Sequence, residues 1–185
     1  MAVQSNLKTM ALCLTAVCLV CAAILGVVYS VTYAPIQDAA RKALEQSISR
    51  VLPEGGELSD AAVGSFKGQK YEYYTSTSGE GTQAYAVKSS TIGFGGTLTL
   101  MVGVLPDGTV YNTSVLVCNE TPGLGAKCQT DTHFMEQFRG LSPDKKLFVK
   151  KDGGDLDAIT ASTITSRAYA LAVSNAVEFV KSMEE

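Results

Sequence analysis

The chain has 185 residues and a formal net charge of -3, which leaves room for one ordinary domain plus a targeting or anchoring segment but not for two full domains. With a single His, a multi-histidine metal site within the chain is excluded, and the mildly acidic balance gives no electrostatic footprint for nucleic acid. No repeat at solenoid spacing, long charge block or low-complexity tract interrupts the sequence.

The first element is apolar. From Met10 to Tyr33 no residue is charged, and about 20 apolar helical residues are enough to span a bilayer core. The run therefore predicts a transmembrane helix over 10–33, preceded by a short N-terminal segment, 1–9. A signal peptide is the rival reading, but its apolar region is usually only about 7–15 residues long, and no clean small-x-small cleavage site follows. Cys18 and Cys21 follow Val17 and Val20 rather than a small residue, which argues against a lipoprotein. With Cys13 they are expected to pack as small polarizable side chains. Charge does not fix the orientation: Lys8 flanks one end, Arg41, Lys42 and Arg50 the other, and the positive-inside rule applies poorly to a long translocated domain.

Pro35 suits the first position of a new helix. Ile36, Ala39, Ala40, Ala43, Leu44, Ile48 and Val51 then recur at helical spacing, predicting an amphipathic connector helix over 34–52 that stops before Pro53 and Gly55-Gly56. The remainder, 53–185, reads as one domain. Tyr71 to Thr75 and Gln83 to Ser89 predict strands on either side of a Ser/Gly-rich turn. Thr97 to Leu105 and Thr109 to Val117 predict a hairpin joined by Pro106-Asp107-Gly108. A last helix is expected from Thr163 to Met183, with Ala168, Leu171, Ala172, Ala176, Phe179 and Val180 on its buried side. The fold class is thus α+β: an N-terminal single transmembrane helix followed by a small antiparallel-sheet domain with flanking helices.

Three segments stand out from this scaffold. Gly93-Phe94-Gly95-Gly96 precedes the hairpin; clustered glycines let backbone approach a ligand, but a bare GxGG is weak evidence and a tight turn or bulge is the preferred reading. Glu120-Thr121-Pro122-Gly123-Leu124-Gly125-Ala126-Lys127 follows the hairpin and begins a turn at Pro-Gly; a structural loop and a ligand loop both fit it. Asp157-Ala158-Ile159-Thr160-Ala161-Ser162-Thr163-Ile164-Thr165-Ser166-Arg167 opens the last helix. One Ser or Thr there is an N-cap, contributing roughly 1 kcal/mol, but this density of hydroxyls exceeds what a cap needs. A helix start with unpaired N–H groups is also a natural phosphate site.

Together, the segments ETPGLGAK and DAITASTITSRA resemble the FMN-binding domains of the family that includes the G subunit of the Rnf electron-transport complex and the C subunit of the sodium-pumping NADH:quinone oxidoreductase. In that family the second motif reads Ser/Thr-Gly-Ala-Thr-Ser/Thr, and its inner Thr carries FMN through a phosphodiester. Here Thr160 matches the first hydroxyl and Thr163 the flavin-bearing Thr, while Ala161 and Ser162 stand where Gly and Ala are usual. Cys118 stands where a His is common. The resemblance implies covalent FMN on Thr163, with Thr160, Ser162 and Thr165 beside it and Glu120, Thr121, Gly123, Leu124 and Gly125 near the ring. It implies a membrane-anchored electron-transfer subunit of an ion-translocating ferredoxin:NAD⁺ oxidoreductase complex. By the same resemblance, its partners are the other subunits of that complex, and the segment 1–9 is cytoplasmic with the FMN domain on the extracytoplasmic side of the cytoplasmic membrane.

A Thr without an adjacent base is a poor nucleophile, so Thr163 is read as an attachment point, modified by a separate flavin transferase; no independent turnover is expected. A tether also has a physical reason: a helix dipole gives an exposed phosphate only roughly 0.3–1 kcal/mol, whereas millimolar binding already needs about 4 kcal/mol. Two other readings remain open on the residues alone. One is an FMN-carrying subunit of another respiratory complex; the other is a non-redox extracytoplasmic binding module whose Ser/Thr stretch only caps a helix.

The remaining candidates have simpler explanations. His133 next to Asp131 suggests a Cys–His pair with Cys118 or Cys128, but a lone surface or core His is the commoner case. Asp152, Asp155 and Asp157 around Gly153-Gly154 lack the spacing of a Ca²⁺ loop and read as a polar turn. Cys118 and Cys128 flank the ETPGLG loop, which a disulfide would rigidify, though sequence does not fix connectivity.

Overall fold

The computed structural model describes residues 6–79 and 81–184; residues 1–5 of the expected N-terminal segment lie outside the described residues. The chain divides into two compact units at Ala43/Leu44. A single helix, α1, spans Leu7–Val51 and belongs to both.

In the first unit, α1 is apolar and exposed on all sides, with Leu12, Leu19, Leu25 and Val31 among its uncovered side chains. It is long and apolar enough to cross a bilayer. The separate connector helix expected to begin at Pro35 does not form as its own element, because Pro35 lies inside the continuous helix. A proline removes one helical donor and crowds the preceding turn. Hydroxyls just upstream bond back to the helix, Thr32 Oγ1 to the Val28 carbonyl at 2.7 Å and Ser30 Oγ to the Val27 carbonyl at 2.9 Å. These bonds go to carbonyls other than that of Val31, the one Pro35 leaves without its helical donor. Burial on the former connector is confined to its end, at Ser47, Ile48, Val51 and Leu52, while Ile36 is exposed.

The second unit is a six-stranded antiparallel sheet, and α3 packs on it. The strands are β1 (Glu57–Leu58), β2 (Ala62–Phe66), β3 (Gln69–Ser78), β4 (Gly81–Ile92), β5 (Thr97–Val104) and β6 (Val110–Cys118), in spatial order β1-β3-β4-β5-β6 with β2 also paired to β3. Short α2 (Thr132–Glu136) follows, and α3 runs Thr163–Glu184. The expected hairpin is present as β5–β6, closed by Leu105 N–H to the Thr109 carbonyl at 2.8 Å, with Asp107 accepting from the Thr109 N–H. β1 and β2 are additions: β2 carries Gly64 at its centre and lacks a clean alternation, so it is set by pairing with β3 and by Phe179 of α3, which fills the space a side chain at Gly64 would need.

Alternation along β4 and β5 sorts their side chains to two cores. Tyr85, Val87, Leu98, Leu100, Val102 and Val104 join Tyr169, Val173, Ala176 and Val180 of α3 on one face. Ala84, Ala86 and Met101 join Ile48, Val51 and Leu52 on the other. Tyr169 is the hub of the larger core: fully buried, packed against Phe134 and Phe138, it shares a 2.7 Å hydrogen bond with Thr113 Oγ1 of β6. Burial pushes its hydroxyl well above the usual tyrosine range.

The end of α1 sits on β5 at Gly103, where an added Cβ would lie 1.7 Å from the Val51 carbonyl oxygen and 2.7 Å from its carbonyl carbon. Both obstacles are backbone, so they cannot rotate away. Gly103→Ala is expected to lift Val51 and Ile48 off the sheet and lower stability by about 1–3 kcal/mol or more. Chemical unfolding of the full-length chain in detergent measures this, and an unchanged midpoint would show that the packing there is not tight.

Candidate functional site

The site begins with a carboxylate. Glu120, just past β6, is buried, and it reaches back to the Gly93–Gly96 turn between β4 and β5. Its Oε1 accepts from the Phe94 N–H at 2.8 Å and its Oε2 from the Gly95 N–H at 3.1 Å. The turn itself is closed by Gly93 N–H to the Gly96 carbonyl at 2.8 Å. The tight-turn reading of Gly93-Phe94-Gly95-Gly96 is therefore right, but the turn is also clasped to the second motif and presents Phe94, 70% exposed, to solvent.

The second motif folds as two linked turns. Leu124 N–H bonds the Thr121 carbonyl at 3.2 Å, with Gly123 at a φ of 76°, the arrangement that Pro-Gly favours in a type II turn. A 3-10 segment, Gly125–Gln129, follows. At Gly125 an added Cβ would lie 2.6 Å from Glu120 Oε2 and 2.7 Å from Thr165 Oγ1. Only a bare backbone lets this loop approach the first turn of α3.

The third motif supplies that first turn. Ile159 N–H donates to Ser166 Oγ at 2.9 Å, and the same hydroxyl donates to the Ser162 carbonyl at 3.0 Å, so buried Ser166 latches the loop to the helix. The Ser162 carbonyl also takes the Ser166 N–H at 3.0 Å, which leaves the N–H groups of Thr163, Ile164 and Thr165 without an intrahelical acceptor. Ala161 has a φ of 62°, a left-handed conformation that costs an L-residue roughly 1–2 kcal/mol. This accounts for glycine at the corresponding family position. Ala161→Gly is expected to raise stability by up to about 1 kcal/mol, the relief of strain being partly offset by a freer unfolded chain. Ala161→Val should lower it, and thermal unfolding that ranks the two variants in the opposite order would refute the reading.

These parts enclose a cleft of about 370 Å³ lined by Phe94, Glu120, Thr121, Leu124, Gly125, Ala161, Ser162, Thr163, Ile164 and Thr165. The size is within the range of small-molecule sites. Of the residues singled out in the sequence, Glu120, Thr121, Leu124, Gly125, Ser162, Thr163 and Thr165 come together here. Gly123 shapes the loop without lining the cleft, and exposed Thr160 faces a neighbouring depression lined also by Lys150, Lys151 and Thr163. Phe94, Ala161 and Ile164 are added by the structure.

The hydroxyls differ sharply in access. Thr165 is 1% exposed and Ser162 7% exposed, whereas Thr163 is half-buried and Thr160 exposed. Ser162 Oγ is buried with no hydrogen-bond partner among the described residues, an arrangement that costs energy unless a ligand satisfies it. Lys151 Nζ lies 3.4 Å from Thr163 Oγ1. Its sequence neighbour Asp152 is held instead by a bidentate pair with Arg167, two contacts of 2.6 Å, and that guanidinium keeps the Asp152 carboxyl below the usual carboxylate range. The cleft thus pairs apolar walls (Phe94, Leu124, Ile164) with the N–H-rich start of α3 and the clasped Glu120 carboxylate, and Lys151 approaches it across Thr163 from the neighbouring depression. It suits a ligand with a flat apolar part and an anionic end.

The other candidates are structural. Asp131 caps α2, accepting from the Phe134 N–H at 3.2 Å, and His133 is exposed on that helix. Asp155 accepts from the Lys146 N–H and Asp157 pairs with Lys150, so the Asp-rich segment is a stitched turn. Among the described residues no group of His, Cys, Asp and Glu could hold a metal ion.

A domain of this kind, a twisted antiparallel sheet with a hydroxyl-rich helix start at the cleft, matches the FMN-binding domain family over residues 93–178. Among curated proteins, the chain is 35% identical to the G subunit of the proton-translocating ferredoxin:NAD(+) oxidoreductase complex of Clostridium ljungdahlii, over 90% of this chain and 88% of that one. It is also 35% identical to the G subunit of the ion-translocating oxidoreductase complex of Vibrio vulnificus, over 78% and 75% of the two chains. Among solved structures it is similar to NqrC of Shewanella oneidensis, at 20% identity and a TM-score of 0.48 over 62% of this chain and 61% of that one. The chain belongs to the family of G subunits of Rnf-type ion-translocating oxidoreductase complexes.

Proposed function

We propose that this chain is the FMN-carrying subunit of an Rnf-type membrane complex, with the flavin esterified through its phosphate to Thr163. The observation that carries the reading is the start of α3: an accessible Thr163 hydroxyl, the orphaned Ser162 Oγ and free N–H groups converge at one end of an apolar-walled cleft, and Lys151 reaches Thr163 from the adjoining depression. The N–H groups of the first turn and Lys151 would hold the phosphate, since both favour an anion at a helix start. Phe94, Leu124 and Ile164 would exclude water from the ring, while Glu120 keeps the two walls at fixed spacing. When bound, FMN supplies one- and two-electron redox chemistry, and the chain's own residues set its position.

Attachment is assigned to a separate flavin transferase. Among the described residues the side chain bonded to Thr163 Oγ1 is Lys151, and no His, Asp or Glu is bonded to it, so the hydroxyl lacks the adjacent base an activated nucleophile needs. We assign α1 as a single-pass anchor in the cytoplasmic membrane, supported by its uncharged, uncovered apolar run. The extracytoplasmic side of the domain and the companion subunits are assigned by family resemblance. The coupling ion, Na⁺ or H⁺, is left to the complex.

Intact mass of the chain isolated from its own membranes tests the central assignment. An FMN-sized increment that localises to the peptide containing Thr163 is expected. Its absence with the transferase present, or its localisation elsewhere, would overturn it in favour of a binding module whose hydroxyls only cap α3.

A further inference from the structure

Two cysteines bracket the loop that walls the cleft. Cys118 ends β6 and Cys128 lies in the 3-10 segment; their sulfur atoms are 3.7 Å apart, and both are free thiols. Between them run residues 119–127, which contribute Glu120, Thr121, Leu124 and Gly125 to the cleft. Neither cysteine lines the cleft, so nothing in the flavin reading uses them.

We propose that Cys118 and Cys128 form an oxidisable dithiol whose closure to a disulfide ties together the two ends of the cleft loop. The sulfurs are already in van der Waals contact, and an S–S bond of about 2.0 Å is reached by side-chain rotation and small backbone adjustment. The two thiols are not equivalent. Cys128 is fully buried in the main core, and burial, reinforced by the neighbouring Cys118, pushes its thiol up to about 12. Cys118 is only partly buried, so an external reagent meets it first.

The oxidant is a small-molecule or protein disulfide. Cys118, as thiolate, attacks one of its sulfurs, breaking that S–S bond and releasing one thiol to give a mixed disulfide. Cys128 then gives up its proton to solvent and attacks the Cys118 sulfur, releasing the second thiol. Two protein thiols are oxidised, one external disulfide is reduced to two thiols, and no other reductant or oxidant enters. The bridge constrains Glu120, and through it the Phe94 turn, whether or not flavin is attached.

The full-length chain in detergent, equilibrated with oxidised glutathione, tests this directly. Trypsin cuts after Lys127, between the cysteines, so the bridge joins peptide 89–127 to peptide 128–139; Cys13, Cys18 and Cys21 fall on another peptide. A linked pair lighter by two hydrogen atoms is expected, together with amide exchange in 119–127 slowed about tenfold or more. The Cys128→Ser variant should instead retain a glutathione adduct on Cys118, and Cys118→Ser should acquire none at position 128. A parent that keeps both thiols alkylatable, or that stops at the Cys118 adduct, would overturn the proposal. So would a linked pair that leaves exchange in the loop unchanged.

Discussion

Thr163→Ala is expected to abolish FMN incorporation while leaving the fold intact. The side chain at 163 is half-buried, and the bond it makes, to Lys151 at 3.4 Å, is long and at the surface. Its loss should shift stability by less than about 1 kcal/mol. The expected effect on the flavin is by contrast all-or-none, because a covalent link has no partial form. Thr160→Ala is the necessary comparison. Thr160 is the other accessible hydroxyl of the motif, but it lies in the loop before the helix, and not in the first turn where N–H groups are free. Mass spectrometry of both variants coexpressed with a flavin transferase should show the increment on Thr160→Ala and none on Thr163→Ala. Equal occupancy of the two would move the attachment elsewhere.

The second large effect is expected at Glu120. Two backbone N–H groups converge on its carboxylate, and hydrogen bonds to a charged acceptor are worth about 1.5–3 kcal/mol each. Water can reach the Phe94 turn, so full loss is softened: Glu120→Ala should cost about 2–4 kcal/mol. Glu120→Gln is the sharper variant. A carboxamide offers one acceptor oxygen and a donor NH₂, so it can satisfy only one of Phe94 and Gly95 and opposes the other. About half the effect is expected from it, with faster amide exchange at both residues. If Glu120→Gln matches the parent in unfolding midpoint and exchange, the clasp is not holding the cleft. Because Glu120 joins both walls, either variant should also broaden the environment of any bound flavin, visible in its absorption band shapes.

Much of the architecture is legible in one dimension because it depends on period and punctuation. The uncharged run Met10–Tyr33 is an apolar helix whatever follows it. The β5–β6 hairpin follows from alternation around Pro106-Asp107-Gly108, and α3 from helical spacing behind a cap-rich start. Where the sequence misleads, a local preference meets a stronger context. Pro35 signals a helix start, yet the helical sequence on both sides of it runs as one continuous α1. β2 gives no strand signal, since its pairing with β3 and the fit of Gly64 against Phe179 are contacts between distant residues.

The same division runs through the site. By itself the sequence marks the hydroxyl-rich stretch and the Glu120–Lys127 loop as chemically unusual, because density of Ser/Thr and a Pro-Gly turn are local properties. Motif resemblance singles out Thr163, but local chemistry does not rank the hydroxyls by access, which depends on which of them the core covers: Thr165 and Ser162 are buried, Thr163 and Thr160 are not. Nor can it join Glu120 to Phe94 and Gly95, set Lys151 beside Thr163, or bring Cys118 within 3.7 Å of Cys128. Those proximities are made by the register of β4, β5 and β6 and by the seating of α3 on the sheet. Periodicity and turn chemistry act within a few residues of themselves, whereas a site is assembled by packing across the whole domain.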